Sequence, residues 1–259
     1  MELGRHRIGE IVALVGVALG LIALFTKVFD TSSGKYSDDG TILTIGLIIV
    51  VLNACCLLAA LFLGRLNLDL TAAVAGAVAF GFFLYQPAMI AFKNLGHVYW
   101  GGWLGIFAVL VPLGAGAAHL GHKRSDAKAQ GVTLWTVAAA AGLILILIGI
   151  WSRVMDAYNV TYWNASSSGH ALGLLLLILV IVSAILIALG VTSKKAETAD
   201  LALIVSAVLV GLAVAEGAHD AFGSFGNMGA GAWLQLIGGL VLLISLTVSR
   251  VVKLPELMK

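Results

Sequence analysis

The sequence is short of charged residues and of proline. Of its 259 residues only 11% are Asp, Glu, Lys or Arg and only 3 are Pro, whereas 61% are hydrophobic. Ordinary soluble domains carry about 25% charged residues. A soluble chain of this length has too much surface to cover with so few charges. The composition therefore excludes an ordinary soluble domain and indicates a chain surrounded by lipid.

Cysteine and catalytic motifs are almost as scarce. The 2 cysteines, Cys55 and Cys56, are adjacent, which excludes an ordinary structural disulfide and a C-x-x-C redox pair. The sequence has no Walker-type loop, no H-E-x-x-H and no G-x-S-x-G. The segments between apolar runs are too short for a catalytic domain outside the membrane, so we expect a protein that is not an enzyme.

Long apolar runs dominate what remains. Crossing the hydrocarbon core takes about 20 apolar residues in a helix. Membrane barrel strands would instead alternate apolar and polar residues over ~10 positions, a pattern absent here. We therefore predict an all-α, polytopic membrane protein with eight transmembrane helices. The predicted spans are 8–29, 41–63, 70–92, 98–120, 132–152, 169–190, 199–221 and 230–252.

The Lys and Arg residues predict the orientation of these spans. With the N-terminus inside, the inner segments hold Arg5, Arg7, Arg65, Lys123, Arg124, Lys128, Lys194, Lys195, Arg250, Lys253 and Lys259, and the outer segments hold Lys27, Lys35, Lys93 and Arg153. This asymmetry follows the positive-inside rule, so both termini are predicted to be cytoplasmic. The net charge of +2 then reflects topology and gives no reason to expect nucleic acid binding. We expect a multi-pass protein of the cell membrane, and specifically of a prokaryotic plasma membrane.

Two segments of the chain resemble each other at a fixed spacing. AFKNLGHVYWGGWL (91–104) and AFGSFGNMGAGAWL (221–234) match without a gap. The identical pairs are Ala91/Ala221, Phe92/Phe222, Gly96/Gly226, Gly101/Gly231, Trp103/Trp233 and Leu104/Leu234. TKVFD (26–30) likewise resembles SRVMD (152–156). Recurrence by compositional bias is the alternative, but Phe and Trp in fixed register favour duplication.

The duplication predicts two halves, 1–125 and 126–259, each with four spans. An even number of spans inserts both halves in the same direction. They should then be related by a pseudo-two-fold axis along the membrane normal rather than by an inverted repeat.

Three ionisable residues stand at the end of the seventh predicted span. Glu216, His219 and Asp220 lie at i, i+3 and i+4 and would share one face of a helix. A carboxylate at mid-bilayer costs about 2.5–3.5 kcal/mol, and such a group usually marks function. In the duplicated register, Gln86-Pro87 matches Glu216-Gly217, and matching Gly/Pro interruptions indicate a site. The alternative is that the helix ends near Ala215 and the three residues lie in a solvated loop.

The same residues raise the possibility of a metal. Glu216, His219 and Asp220 could bind zinc or copper, with His97 and His170 converging through the outer loops. A di-iron bundle would need a second Glu-x-x-His motif, which is absent. As residues that contact a ligand or partner we expect Gln86, Glu216, His97, His170, Trp103 and Trp233.

Three classes of function remain open. A non-catalytic subunit or scaffold of a larger membrane assembly, or a homo-oligomer, fits the short loops, the few intramembrane charges and the small-residue helix faces. A small transporter or channel fits the duplication and the paired polar positions. A metal or redox protein fits only the Glu/His/Asp cluster. We favour the subunit, because a transporter usually needs more buried polar residues.

Overall fold

A computed structural model describes residues 2–26, 40–63, 66–91, 103, 131–154, 161–164, 167–220, 226 and 228–251. These residues form helices and connecting turns, with no β-strand among them. The described helices are α1 (Glu2–Phe25), α2 (Gly40–Leu63), α3 (Leu66–Ala91), α4 (Leu134–Trp151), α5 (Ser167–Ser193), α6 (Ala196–Asp220) and α7 (Ala230–Val251).

Five of the described helices are long and apolar enough to cross a membrane. The spans are Gly40–Ala59, Leu134–Trp151, Gly169–Ser193, Ala196–His219 and Ala230–Arg250. Shorter apolar stretches occupy Leu14–Phe25 of α1 and Leu70–Tyr85 of α3. The structure is therefore compatible with a multi-pass membrane protein. The predicted span at 98–120 lies outside the described residues, apart from Trp103.

Helices α3 and α6 form the centre of the described bundle. In α6, 83% of the candidate span is buried, against 28% in α5, which exposes several large apolar side chains. Helix α3 packs along α6, α2 packs on α3, and α5 packs on α6. One apolar helix is thus buried among the others, and the outer helices expose Leu, Ile and Val. This is the arrangement expected of a helix bundle in lipid.

The two central helices touch through glycine. A side chain at Gly81 would overlap the carbonyl oxygen of Val208 and lie 2.9 Å from the backbone nitrogen of Leu212. A side chain at Gly211 would overlap the carbonyl oxygen of Val78 and lie 2.9 Å from the nitrogen of Phe82. Each contact in one helix thus has its counterpart 130 residues away in the other. Small residues at such crossings let helix backbones approach closely.

Glycine also joins α4 to α7, the pair with the most extensive contact among the described helices. A Cβ at Gly142 or Gly238 would lie 2.6 Å from the carbonyl oxygen of the other. Seven residues along, Gly149 and Gly231 repeat the arrangement at 2.7 and 2.6 Å. Just past the end of α4, the carbonyl oxygen of Arg153 accepts from the backbone nitrogen of Gly231 in α7 at 2.6 Å. The two antiparallel helices are therefore in backbone contact over at least two turns.

The helix boundaries repeat at the same spacing as the central contacts. Helix α2 ends at Leu63 and α5 at Ser193, while α3 begins at Leu66 and α6 at Ala196. Each pair of positions is 130 residues apart. Helices α3 and α6 begin three or four residues earlier than the predicted spans at 70 and 199.

Candidate functional site

The bundle has two ends, named here by the ionisable residues they carry. The Glu216 end comprises the C-terminal ends of α3, α4 and α6 and the N-terminal ends of α5 and α7. The Arg250 end comprises the opposite termini of the same helices. At ~1.5 Å per residue, the sixteen residues of α6 between Asp200 and Glu216 separate the two ends by about 24 Å.

Glu216 is a buried carboxylate inside α6. Its residue is 5% exposed, and the helix continues past it to Asp220. The alternative that the helix ends near Ala215 and leaves Glu216 in a solvated loop is therefore wrong. Glu216 lies one turn beyond Leu212, whose backbone contacts Gly81 at the α3–α6 crossing. The carboxylate thus belongs to the packed part of the central helix, just past its closest approach to α3.

His219 follows on the same face and meets α3 through Tyr85. The two ring centroids are 5.7 Å apart, with the ring planes inclined by 50°. Tyr85 is 2% exposed and His219 is half-buried. Sequence reasoning missed Tyr85, although it immediately precedes Gln86. A tyrosine inside an apolar span usually has a partner for its hydroxyl, and that was the available signal.

Gly217, the residue after Glu216, packs against α7 and Met228. A Cβ at Gly217 would lie 3.1 Å from Leu236 and 3.2 Å from Met228. Nearby, the hydroxyl of Tyr162 donates to Oε1 of Gln235 at 3.2 Å, and both residues are buried. This hydrogen bond attaches the segment 161–164 to α7. It is a second polar contact that the sequence did not indicate.

The other residues expected to bind a ligand or partner are less fully described. The side chains of Gln86 and Asp220 and all of His97 lie outside the described residues. Trp103 is half-buried, and Trp233 is 42% exposed on α7. That Gln86 joins Glu216 in contacting a ligand or partner therefore stays a prediction.

His170 belongs to an aromatic stack. Its Nε2 lies 2.8 Å from the carbonyl oxygen of Trp163, and its ring stacks on the indole of Trp163 with centroids 6.4 Å apart. Trp163 in turn stacks on Trp151 at 4.7 Å. Trp151 is exposed and Trp163 is half-buried. A Trp pair next to the end of an apolar helix is typical of an anchor at the membrane interface.

The part of the chain that the structure describes contains no cluster of metal-binding side chains. There, no three His, Cys, Asp or Glu side chains lie close enough to hold an ion. His170 therefore does not join Glu216 and His219. A zinc or copper site through Asp220 or His97 depends on side chains outside the described residues and stays a prediction.

The described arrangement combines a carboxylate, an imidazole and a phenol at one end of two central helices. Such a set can accept hydrogen bonds from a cationic or amide group and can exchange protons. Comparison with known proteins found no matching family model, no matching curated protein and no matching solved structure.

Proposed function

We propose that the chain is a duplicated membrane protein of eight spans, with halves 1–125 and 126–259 and with both termini in the cytoplasm. The 130-residue spacing of the helix boundaries supports the duplication. The matched contacts of Gly81 and Gly211 support a pseudo-two-fold axis between α3 and α6. The Lys and Arg asymmetry supports the orientation, which places the Glu216 end outside.

Within this architecture, the protein acts as a non-catalytic subunit that holds a partner at the Glu216 end. The observation that carries this proposal is the backbone contact of α3 and α6 at Gly81 and Gly211. At this level the two central helices leave no room for a solute to pass between them. Glu216 lies five residues further along α6, about 7.5 Å from the crossing. A polar site that ends against packed backbone suits a docked group better than a permeating one.

The chemistry of the site indicates the group it would hold. A buried carboxylate is stabilised by a cation or by strong hydrogen-bond donors. His219 and Tyr85 add an imidazole and a phenol on the face of the same helix pair. The expected occupant is therefore a Lys, Arg or amide side chain of another membrane subunit or of a second copy of this chain.

A small transporter is the second candidate, and one observation favours it. Glu216 is 5% exposed, and an ionisable residue buried in an apolar helix commonly belongs to an ion or proton pathway. His219, three residues on, could pass a proton toward the water boundary. Transport would need a route other than the one between α3 and α6.

Glu216→Gln, compared with wild type, tests the subunit proposal. The full chain carrying Glu216→Gln should insert and fold, and its thermal stability should be equal or higher, because a buried charge has been removed. Recovery of its partner in gentle detergent should fall at least about fivefold, since a charge-assisted hydrogen bond to the partner is lost. Glu197→Gln is the matched control, because Glu197 is exposed in the first turn of the same helix.

Each outcome favours one function. Full recovery of the partner by Glu216→Gln contradicts the subunit proposal. Loss of proton-coupled solute uptake in proteoliposomes containing Glu216→Gln, with wild-type uptake in Glu197→Gln, would establish the transporter instead.

A further inference from the structure

A cleft opens at the Arg250 end, away from the Glu216 site. It lies between the N-terminal ends of α4 and α6 and the C-terminal ends of α5 and α7. Its polar lining comprises Thr133, Thr136, Ser249 and Arg250, and its apolar lining includes Ile187 and Leu246. We propose that this cleft binds the headgroup of an anionic phospholipid.

Arg250 supplies the positive charge. Its Nε donates to Oδ1 of Asp200 at 2.8 Å, and the Arg250 and Asp200 side chains are 9% and 6% exposed. A guanidinium has five N–H donors in a rigid fork, so bonding through Nε leaves both terminal nitrogens for an anion. Asp200 fixes the plane of the guanidinium and is a positioning residue. An arginine held in this way is pre-organised for a phosphate.

The charges near the cleft favour an anion. Lys194 and Lys195 are exposed in the connection from α5 to α6, a few residues after the cleft-lining Gly190 and Val191. With Arg250 they make three positive charges, against two negative charges on Asp200 and Glu197. The described side chains at this end therefore carry a net charge of about +1.

Hydroxyl groups of α4 complete the polar side. Oγ1 of Thr136 accepts from the backbone nitrogen of Thr133 at 3.3 Å, and the two threonine hydroxyls are 3.4 Å apart. They cover the first turn of α4, where unpaired backbone N–H groups and the helix dipole favour negative charge. The Thr136 hydroxyl can rotate, so its O–H can donate to a phosphate oxygen in place of the Thr133 hydroxyl, while its oxygen still accepts from the Thr133 backbone nitrogen.

The apolar wall favours a lipid over a free phosphate ion. Leu246 lies one turn deeper in α7 than Ser249 and Arg250, and Ile187 lies one turn deeper in α5 than Gly190 and Val191. A phospholipid places its glycerol and first methylenes at this depth when its phosphate lies at the helix ends. Basic pockets between membrane helices bind anionic headgroups in this way. A free ion would gain nothing from the apolar wall.

Thermal unfolding of the full chain in neutral detergent tests the proposal. Phosphatidylglycerol should raise the Tm of the wild type, whereas phosphatidylcholine and inorganic phosphate at matched ionic strength should not. In the double variant Arg250→Gln/Asp200→Asn, half-saturation should need about tenfold more phosphatidylglycerol. Removing both charges avoids leaving Asp200 buried without its cation. Thr192→Ala, an exposed and neutral control at the same end whose hydroxyl donates to the carbonyl of Ala188 in its own helix, should change half-saturation less than twofold.

Arg250→Lys separates charge from geometry, because it keeps the cation and loses the fork; it should weaken binding about threefold. It also provides the test if the double variant fails to fold. Wild-type affinity for phosphatidylglycerol in either variant would overturn the site. An equal Tm shift from inorganic phosphate alone would overturn the lipid as its occupant.

Discussion

Alanine substitution at the centre of the bundle provides a sharp test of the fold. Gly81 and Gly211 make equivalent contacts on opposite helices, and both contacts are with backbone atoms. We predict that Gly81→Ala and Gly211→Ala each destabilise the protein, and by similar amounts.

The magnitude follows from the distances. The new Cβ would lie 2.9 Å from a backbone nitrogen, where ordinary contact begins at 3.4 Å, and closer still to a carbonyl oxygen. Backbone atoms cannot rotate away, so the helices must separate by about 1 Å and lose contacts along their length. Overpacking of this kind typically costs about 1–3 kcal/mol. Both clashes are with backbone atoms, which places the cost in the upper part of that range, about 2–3 kcal/mol. Alanine returns at most about 1 kcal/mol through its helix propensity, so we expect a net loss of about 1–2 kcal/mol for each variant.

Gly76→Ala is the matched control. It lies in the same helix as Gly81, and the nearest neighbour of its new Cβ would be Oδ1 of Asn53 at 3.9 Å, an ordinary van der Waals separation. The free energy of unfolding of Gly76→Ala should rise by up to about 1 kcal/mol, because alanine has the higher helix propensity. Reversible unfolding in mixed micelles with increasing dodecyl sulfate, followed by circular dichroism, gives the free energies of unfolding.

The double variant Gly81→Ala/Gly211→Ala adds a further check. Once one alanine has separated the helices, the second should cost less, so the double loss should fall below the sum of the single losses. The reasoning is refuted if the free energy of unfolding of Gly81→Ala lies within about 0.5 kcal/mol of the wild-type value. It is also refuted if Gly76→Ala loses as much stability as Gly81→Ala does.

Three further predictions concern other parts of the bundle. Tyr162→Phe removes the buried hydrogen bond to Gln235 and should lower the free energy of unfolding by about 1–2 kcal/mol; a wild-type value contradicts that bond. Asn53 is 3% exposed and its Oδ1 has no hydrogen-bond partner among the described residues, so Asn53→Leu should raise stability by about 0.5–1 kcal/mol, and a lower Tm would contradict this. Asn164→Cys and Lys195→Cys place single thiols at opposite ends in a background without Cys55 and Cys56. An impermeant reagent applied outside intact cells should label the first and not the second, and labelling in the reverse sense overturns the orientation.

The helices were predictable because lipid makes their sequence pattern simple. Each described helix coincides with a predicted span, and most helix ends lie within a few residues of the predicted ends. The largest error is at α1, which begins at Glu2 rather than at residue 8. Hydropathy does not detect that extension, because the first residues of α1 include charged side chains that a helix outside the hydrocarbon tolerates.

The site was only partly predictable. The i, i+3 spacing placed Glu216 and His219 on one face, but spacing alone does not decide whether a face is buried. Burial depends on α3, which brings Tyr85 against His219. The Asp200–Arg250 ion pair joins residues 50 positions apart on two helices. Sequence reasoning assigned Arg250 to topology alone, because no local pattern shows which carboxylate an arginine will meet.

The glycine contact between α4 and α7 has a consequence for the order in which the chain is assembled. Just under 80 residues separate the end of α4 at Trp151 from the start of α7 at Ala230. At a synthesis rate of ~5–20 residues per second, α7 leaves the ribosome about 4–16 s after α4. During that interval Gly142 and Gly149 have no α7 to pack against, while α5 and then α6 are synthesised. The α4–α7 contact therefore forms only after α7 has been synthesised, and a chain truncated before Ala230 would leave α4 without its most extensive contact.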